Sequence, residues 1–278
     1  MASSSPIRIC LAGATGWAGS ALARGIARQH DMTLAGAVGG RSAGRRLGEV
    51  LGEVEGEASI DAPVHASARA ALAAGACDVY VEYSKPKDIA IVRDNVVAAL
   101  EGGAHVVVGA SGLSDADYAA IDEVAKRANR GVLACGNFAL TAVLLQRFAE
   151  MAAAYIPNFE IIDYAEDTKR DAPSGTGRQL ALRLGQVRQP AVGVPLDQVN
   201  GPPGVRGATV NGVQVHSLRV PGFVLGIEVV FGMQDQRLHL THQAGTGAEP
   251  YVDGALLAIR KVHTLVGVAR GLDRVMDL

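Results

Sequence analysis

The segment Lys169–Thr176 (KRDAPSGT) combines residue types that can hold a small anion. Its proline and its glycine predict a turn, and Ser174 or Thr176 can cap a helix that starts near Arg178. The N–H groups of Gly175 and Thr176 would then point toward a carboxylate, with the positive charge of the lysine close by. The segment therefore predicts a site for a small anionic substrate. A capped helix start with a surface lysine is the alternative interpretation.

A second candidate site is a glycine-rich turn, formed by Gly13, Ala14, Thr15, Gly16, Trp17, Ala18 and Gly19. It follows the apolar run Ile7–Leu11 and opens a predicted helix over Ser20–Gln29. Glycine permits a tight turn and close backbone approach, and a helix N-terminus offers N–H groups to a pyrophosphate. The turn predicts a dinucleotide site, although an ordinary β-α turn is the other interpretation.

The end of the second predicted strand, Thr33–Val38, indicates which dinucleotide binds. The residues Val38–Ser42 (VGGRS) contain no carboxylate that could hold the ribose hydroxyls of NAD. Arg41, followed by Arg45 and Arg46, suits the 2′-phosphate of NADPH, because guanidinium groups match phosphate geometry. We expect NADPH as the cofactor, with NADH possible. A solvated basic loop is the alternative.

Strands and helices alternate through the first half of the chain, which must position the glycine-rich turn. Further strands are predicted over Asp78–Tyr83, His105–Val108 and Gly131–Cys135, and helices over Asp88–Glu101 and Ser114–Ala128. Strands separated by helices of this length predict a doubly wound parallel sheet of the Rossmann type. Residues 1–136 are therefore the predicted dinucleotide-binding domain.

The pattern changes after Asn137. A long apolar helix (Thr141–Ala154) precedes a strand (Phe159–Tyr164), a loop (Asn200–Gly204) and three short strands (Gly212–Val220, Phe223–Phe231 and Arg237–Thr241). Residues 137–248 are thus predicted to form an α+β domain with an antiparallel or mixed sheet, for substrate binding and oligomerisation. The stretch Tyr251–Val268 is predicted to be helical and to pack on a domain core.

Composition narrows the classes of partner. The chain has 278 residues, and 26 Lys and Arg against 28 Asp and Glu leave no basic footprint for nucleic acid. No apolar run approaches the roughly 20 residues of a membrane span. The polar start Met1–Ser5 lacks signal-peptide features, so a cytoplasmic location is expected. Small-molecule partners are favoured.

Cysteine and histidine positions predict no metal site. Three widely spaced cysteines, Cys10, Cys77 and Cys135, fit reduced core residues. His239 and His242 lie three apart in a predicted strand and would point to opposite faces. His216 could lie nearer the substrate.

Several motifs together resemble the dihydrodipicolinate reductase family. The segment Lys169–Thr176 resembles its substrate loop, and the glycine-rich turn resembles its cofactor loop. In the same order, Tyr83–Pro86 (YSKP), Gly109–Gly112 (GASG) and Asn137–Ala139 (NFA) resemble the family segments Phe-Thr-x-Pro, Gly-Thr-Thr-Gly and Asn-Phe-Ser. The resemblance spans most of the chain.

The resemblance implies an NAD(P)H-dependent reductase of a small cyclic carboxylated imine, first of all 4-hydroxy-tetrahydrodipicolinate in lysine and diaminopimelate biosynthesis. It implies that Lys169 is catalytic and that Ser174, Gly175 and Thr176 bind substrate. The implied cofactor contacts, besides the glycine-rich turn and Arg41, are Ser84, Gly109, Ala110, Ser111, Asn137 and Phe138. It further implies that the C-terminal helix, 249–278, returns to the first domain, and that second-domain sheets join a homotetramer.

Two positions depart from the family pattern. Ala165 and Glu166 stand where the family has a His-His pair before the lysine, and Gly245–Glu249 lacks the family's basic residue. Alanine cannot donate a proton, and Glu166 could do so only if burial or a carboxylate such as Asp163 or Asp167 raised its pKa. Glu166 is the candidate proton donor. A reductase of another imine and a non-catalytic dinucleotide-binding homologue remain open alternatives.

Overall fold

A computed structural model describes residues 5–52, 58–202, 204–222 and 225–277. The chain forms two compact units, one made of Met1–Leu140 with Ala248–Leu278 and the other of Thr141–Gly247. Three segments singled out above, Met1–Ser5, Asn200–Gly204 and Phe223–Phe231, lie partly outside the described residues. Elements are numbered in chain order.

The first unit contains a parallel sheet of seven strands. They are β1 (Ile7–Ala12), β2 (Met32–Val38), β3 (Val64–His65), β4 (Val79–Glu82), β5 (His105–Val108), β6 (Gly131–Ala134) and β12 (Gly267–Arg270). Their order is β12-β6-β5-β4-β1-β2-β3, so the direction of winding reverses between β4 and β1. Ligands of doubly wound sheets bind at such a reversal, outside the carboxyl ends of the strands. The predicted Rossmann-type sheet is confirmed.

Helices connect these strands. They are α1 (Trp17–Ala27), α2 (Leu47–Leu51), α3 (Ala68–Ala74), α4 (Ala90–Glu101), α5 (Asp115–Arg127) and α8 (Val252–Lys261), with short 3₁₀ turns at Gly40–Ser42, Glu249–Tyr251, Val262–Thr264 and Leu272–Val275. The central strands β4, β5 and β6 are almost wholly buried, which explains their near-continuous apolar sequences. Helix α5 begins with a capping box between Ser114 and Asp117.

The prediction of one helix over Tyr251–Val268, and of a single C-terminal helix over 249–278, is wrong in its second half. Helix α8 ends at Lys261, and β12 then pairs in parallel with β6 at the edge of the sheet. Gly267 adopts a φ of +83°, which ends any helical path and is readily adopted by glycine. A short apolar run does not distinguish a buried strand from a helix turn, so periodicity missed this strand.

The second unit contains a mixed sheet of five strands. They are β7 (Asn158–Ala165), β8 (Ala208–Val210), β9 (Val213–Arg219), β10 (Leu225–Met233) and β11 (Gln236–Ala244), in the order β11-β10-β7-β9-β8. Only the β7–β9 pair is parallel, which confirms the mixed form of the predicted sheet. A 3₁₀ turn spans Leu196–Gln198.

Two helices, α6 (Leu140–Tyr155) and α7 (Gly175–Val187), cover one face of this sheet. Their side chains, including Leu145, Leu180 and Leu184, form one core with Ile161 and Phe231 of the strands. No helix in the described part of the chain is long and apolar enough to cross a bilayer.

Candidate functional site

The glycine-rich turn has a backbone that side chains could not adopt without strain or collision. Gly13 has a φ of +74°, and a Cβ there would lie 2.5 Å from the carbonyl oxygen of Tyr83. A Cβ on Gly19 would lie 2.1 Å from the carbonyl oxygen of Gly13, so the turn and the helix pack backbone against backbone. These two glycines are therefore required by the close approach of β1, α1 and the segment after β4.

The N-terminus of α1 is suited to a pyrophosphate. The helix begins at Trp17 after Gly16, which has no side chain to cap it, and its first turn contains no acidic residue. Uncapped N–H groups and the positive end of the helix dipole together attract phosphate oxygens. The residues present thus fit the diphosphate of a dinucleotide.

A cavity of about 680 Å³ lies beside this turn. Six predicted cofactor residues of the turn line it, namely Gly13, Thr15, Gly16, Trp17, Ala18 and Gly19, together with Arg41 and Ser84. Ala14 is fully buried and lies outside the lining. The predicted turn, the first arginine and the serine after β4 are therefore brought together by the fold.

The three arginines after β2 are not equivalent. Arg41 is exposed at the cavity, whereas Arg46 forms an ion pair with Asp61 and donates to its carbonyl oxygen at 2.9 Å. Arg45 donates to the carbonyl oxygen of Glu49 at 3.4 Å. Of the basic cluster seen in the sequence, only Arg41 lines the cavity.

The remaining predicted cofactor residues follow β5 and β6. Gly109, Ala110 and Ser111 come directly after β5, and Asn137 and Phe138 follow β6, outside the residues that line the cavity. The ring of Tyr83 packs against Phe138 with centroids 5.5 Å apart, and a Cβ on Gly109 would lie 2.3 Å from the Tyr83 ring. Asn137 accepts the N–H of Ala139 through Oδ1 at 2.8 Å. These segments form one packed edge at the carboxyl ends of the strands.

Glu82, the last residue of β4, bonds to residues of the cavity lining and was not identified from the sequence. Its carboxylate is fully buried and accepts the backbone N–H of Ser84 at 2.9 Å, the hydroxyl of Ser84, the amide of Asn95 at 2.9 Å and the hydroxyl of Tyr80 at 3.0 Å. Ser84 and Asn95 both line the cavity. A charged residue inside an apolar strand was the available signal, because buried charges need dedicated partners.

In the second unit, the predicted substrate loop leads into α7. Ser174 is the N-cap residue, and its hydroxyl accepts the N–H of Gly177 at 3.1 Å. The helix therefore begins at Gly175, three residues before the predicted start near Arg178, because Ser174 rather than Thr176 supplies the cap. Gly175 and Thr176 occupy the first turn, whose N–H groups have no partner within a helix.

Lys169 and Glu166 lie at the start of this loop. The Lys169 ammonium is 2.8 Å from a carboxylate oxygen of Asp171, and this contact lowers the pKa of Asp171. Glu166 is exposed, and its carbonyl oxygen accepts the N–H of Lys169 at 3.1 Å. Ala165 is fully buried. Burial, one of the two conditions under which Glu166 could act as the proton donor, is therefore not met.

Asp163 and Arg219 hold the loop, and the sequence had not identified Arg219. Asp163 is fully buried on β7; its Oδ2 accepts the N–H of Ser174 and Nη2 of Arg219, each at 2.8 Å, and its Oδ1 accepts the hydroxyl of Ser174 at 2.5 Å. Arg219 also donates to the carbonyl oxygen of Asp171 at 2.7 Å. Both carboxylate oxygens of Asp163 thus accept hydrogen bonds from Ser174 or Arg219. The signal in the sequence was an acid in phase with the buried residues Ile161 and Ala165.

The three histidines singled out in the sequence contact neighbouring side chains, and the three cysteines are buried. His242 is buried with Nδ1 2.9 Å from the Thr141 hydroxyl, His239 pairs with Glu228 at 2.7 Å, and His216 pairs with Glu160 at 2.6 Å. Cys10, Cys77 and Cys135 are buried free thiols, as expected. Within the described ranges, no three potential metal ligands come together.

Comparison with known proteins shows similarity along the whole chain. Residues 7–138 match the dihydrodipicolinate reductase N-terminus, and residues 141–276 match the dihydrodipicolinate reductase C-terminus. The 4-hydroxy-tetrahydrodipicolinate reductase of Desulfitobacterium hafniense (strain DSM 10664 / DCB-2) is 35% identical over 271 residues, which cover 98% of this chain and 99% of the relative. The enzyme of that name from Moorella thermoacetica is 34% identical over 272 residues, 98% of each chain.

The chain is also similar to solved structures, including one of a dihydrodipicolinate reductase. A dipicolinate-bound dihydrodipicolinate reductase from Paenisporosarcina sp. TG-14 superposes with a TM-score of 0.85 at 27% identity, covering 98% of this chain and 100% of the other. An amine dehydrogenase from Mycobacterium smegmatis shares the fold, with a TM-score of 0.65 at 17% identity over 97% and 96% of the two chains. The chain belongs to the dihydrodipicolinate reductase family, the NAD(P)H-dependent reductases of lysine biosynthesis.

Proposed function

We propose that this protein reduces a small cyclic carboxylated imine, with 4-hydroxy-tetrahydrodipicolinate as the first candidate and NADPH as the preferred reductant. The observation that carries the proposal is the substrate loop, in which the Asp163–Arg219 pair holds Ser174 at the start of α7. The N–H groups of Gly175 and Thr176 in this first turn have no helical partner, and together with Lys169 of the same loop they can form an anion site. The names of the full-length relatives support the same substrate.

The cofactor would be held by the first unit. NADPH, when bound, supplies a hydride to the substrate. The glycine-rich turn and the N-terminus of α1 bind the diphosphate, and Arg41 binds the 2′-phosphate. The end of β2 supports this preference, because Val38 and Gly39 leave no carboxylate to hold free ribose hydroxyls. Gly109, Ala110, Ser111, Asn137 and Phe138 are proposed to contact the cofactor at the carboxyl ends of β5 and β6.

Lys169 is proposed as the catalytic cation. Its ammonium, together with the N–H groups of Gly175 and Thr176, binds the substrate carboxylate and supports protonation of the reduced carbon or nitrogen. Asp171 pairs with Lys169 at 2.8 Å, and a substrate carboxylate would replace it. Such an exchange of one carboxylate for another keeps the ammonium neutralised throughout.

Proton donation is proposed to differ from that of the family pattern. Ala165 and Glu166 take the places of the two histidines, and the exposed Glu166 or water supplies the proton. An exposed carboxylate is a poorer proton donor near neutral pH than a histidine. We therefore expect slow reduction of 4-hydroxy-tetrahydrodipicolinate, or faster reduction of a different cyclic imine.

Restoring a histidine tests this. Ala165 is fully buried, so Ala165→His would overpack the end of β7, and Glu166→His is the cleaner single variant. General acid catalysis is typically worth about 10²- to 10⁴-fold in rate, so Glu166→His and the double histidine variant are expected to raise turnover measurably. Wild-type turnover as fast as that of an ordinary reductase assayed in parallel would contradict the argument from the absent pair.

The main experiment is an NADPH-oxidation screen over cyclic imino acids, including 4-hydroxy-tetrahydrodipicolinate, with wild type, Lys169→Ala and Arg170→Ala. Arg170 is an exposed cation of the same loop and serves as the matched control. Loss of a charged hydrogen bond, about 1.5–3 kcal/mol, predicts a 10- to 10²-fold lower kcat/KM for Lys169→Ala, with cofactor binding unchanged. Equal activity of the Lys169→Ala variant and wild type would remove this lysine from the site.

A second candidate function is dinucleotide binding without catalysis, which the exposed Glu166 and buried Ala165 favour. Tight NADPH binding without turnover of any imine in the screen would support it. Turnover of even one imine that is lost in the Lys169→Ala variant would exclude it.

We further propose a homotetramer joined through the sheet of the second unit. Helices cover one face of this sheet, and the other carries half-exposed apolar side chains such as Ile162, Leu218 and Val230 around a cavity of about 600 Å³. The segment Pro190–Gly193 also lines this cavity, and exposed apolar side chains on a sheet face favour association. Light scattering at micromolar concentration tests it, and a monomer would contradict it.

A further inference from the structure

The carboxylate of Glu82 is surrounded by hydrogen-bond donors. Ser84 donates to it through both its backbone N–H and its hydroxyl, and Asn95 and Tyr80 donate to the other oxygen, Oε2, at 2.9 and 3.0 Å. Burial raises the pKa of Tyr80 well above its ordinary value, and the negative charge of Glu82 is the second-largest cause. The Tyr80 hydroxyl therefore keeps its proton and remains a donor. A carboxylate has about four acceptor positions, and four donors fill them.

This arrangement decides which way Asn95 points. Because the carboxylate only accepts, the amide nitrogen of Asn95 must face Glu82, and its Oδ1 is left for other partners. Asn95 lines the cavity beside the glycine-rich turn, whereas Tyr80, which donates to the same oxygen, does not. Glu82 therefore leaves Oδ1 as the atom of the Asn95 amide that can accept from a ligand in the cavity.

We infer that Glu82 is a positioning residue for dinucleotide binding: it orients Asn95 so that Oδ1 accepts a hydrogen bond from a donor of the bound dinucleotide. The donor chemistry is a ribose hydroxyl or an amide or amine N–H, from either the adenosine or the nicotinamide half. The inference rests on the proposed function of this cavity as the cofactor site. Glu82 itself need not contact the ligand.

The Glu82→Gln variant tests the inference through hydrogen-bond polarity. The fixed N–H of Ser84 needs an acceptor, so the oxygen of the introduced amide takes the Oε1 position and its nitrogen faces Asn95. Asn95 must then turn over to accept from it, and the wall offers N–H groups where it had offered an oxygen. The Asn95 N–H groups would then face the donor of the bound dinucleotide, and two donors cannot form a hydrogen bond. NADPH should therefore bind about tenfold more weakly.

A second change should reverse the loss. In the Glu82→Gln, Asn95→Asp double variant, one oxygen of the new carboxylate accepts from the glutamine and the other returns an acceptor to the cavity. Tyr80→Phe is the matched control, because it removes a hydrogen bond to the same oxygen of Glu82 from outside the cavity lining. It should lower Tm and leave NADPH affinity unchanged.

Binding can be followed by quenching of the only tryptophan, Trp17, which lines the cavity. Titrations with NADPH and with adenosine 2′,5′-bisphosphate separate the two halves of the ligand. Tenfold weaker binding of both ligands by Glu82→Gln assigns the donor to the adenosine half, and weaker binding of NADPH alone assigns it to the nicotinamide half. Either result, with recovery in the double variant, supports the inference.

Unchanged affinity of Glu82→Gln for both ligands, or an equal loss in Tyr80→Phe, would overturn the inference while leaving the cofactor site intact. A wild-type protein that binds neither NADPH nor NADH would overturn the proposed function and the inference with it. If Glu82→Gln does not fold, Asn95→Leu removes the same acceptor. It should weaken NADPH binding about tenfold, and unchanged binding would refute the role.

Discussion

Replacing Asp163 by asparagine should release the substrate loop. Asparagine can keep an oxygen toward the N–H of Ser174 and the guanidinium of Arg219, but the charge that neutralises Arg219 is lost. The Arg219 side chain is only 15% exposed, so its charge would remain largely buried without a counter-ion. Breaking such a pair costs about 3–5 kcal/mol. Arg219 still donates to the carbonyl oxygens of Asp163 and Asp171, which favours the lower end, about 3 kcal/mol.

Hydrogen exchange measures this release directly. The N–H of Ser174 donates to Asp163, and the N–H groups of Gly177 and Arg178 donate to Ser174. An opening easier by about 3 kcal/mol accelerates their exchange roughly 10²-fold. The kcat/KM for the imine should fall in parallel. Trp17, in the first unit, should report an unchanged urea transition of that unit.

A double-mutant cycle tests whether the Asp163–Arg219 pair holds the loop. Arg219→Met removes the buried cation and keeps most of the apolar stem, so the Asp163→Asn, Arg219→Met double variant should recover part of the stability lost in the single variants. Strictly additive losses, or a loss below about 1 kcal/mol for Asp163→Asn, would show that the pair does not hold the loop.

Three further predictions concern Arg41, Gly19 of the glycine-rich turn and the buried His242. Arg41→Ala should weaken NADPH binding about tenfold and leave NADH binding unchanged in a fluorescence titration, because Arg41 is the arginine at the cavity; an equal loss for both cofactors would contradict it. Gly19→Ala should lower both Tm and NADPH affinity, since its Cβ would lie 2.1 Å from the carbonyl oxygen of Gly13, and a variant that matches wild type in both would refute the packing argument. Burial lowers the pKa of His242 from its ordinary value of 6.5, so on acidification the unfolded chain binds the proton first and stability falls below about pH 6.5. Urea titrations between pH 7.5 and 5.5 should therefore show a smaller loss of stability for His242→Gln than for wild type. Equal losses would exclude His242 as a source of this pH dependence.

Sequence patterns predicted most elements of the first unit, because a parallel sheet buried on both faces leaves continuous apolar strands with helices between them. The strand His105–Val108 was predicted with the bounds that the structure shows. The missed elements are short or lie at edges. Val64–His65 has two residues, and Gly267–Arg270 follows a helix with only a brief turn between, so neither has enough length to show a period.

For the candidate sites, local residue order sufficed where the chemistry is local. The glycine-rich turn and Lys169–Thr176 are each continuous segments, and their turn residues, cap and charge can be interpreted without a fold. The sequence left Ser174 and Thr176 as alternative caps, and the structure shows that Ser174 is the N-cap residue. Residue order also sufficed for Val38–Ser42, whose lack of a carboxylate is a property of the sequence itself.

Only the tertiary structure showed which polar residues hold those segments. Asp163 and Arg219 are 56 positions apart and meet because β7 pairs in parallel with β9, and Glu82 meets Asn95 because α4 packs back beside β4. The ion pair with Asp61 distinguishes Arg46 from Arg41, which lines the cavity, and burial distinguishes the enclosed Asp163 from the exposed Glu166. The sequence by itself determined the chemical groups and their local turns; their partners and solvent exposure arise from long-range pairing, which residue spacing along the chain does not encode.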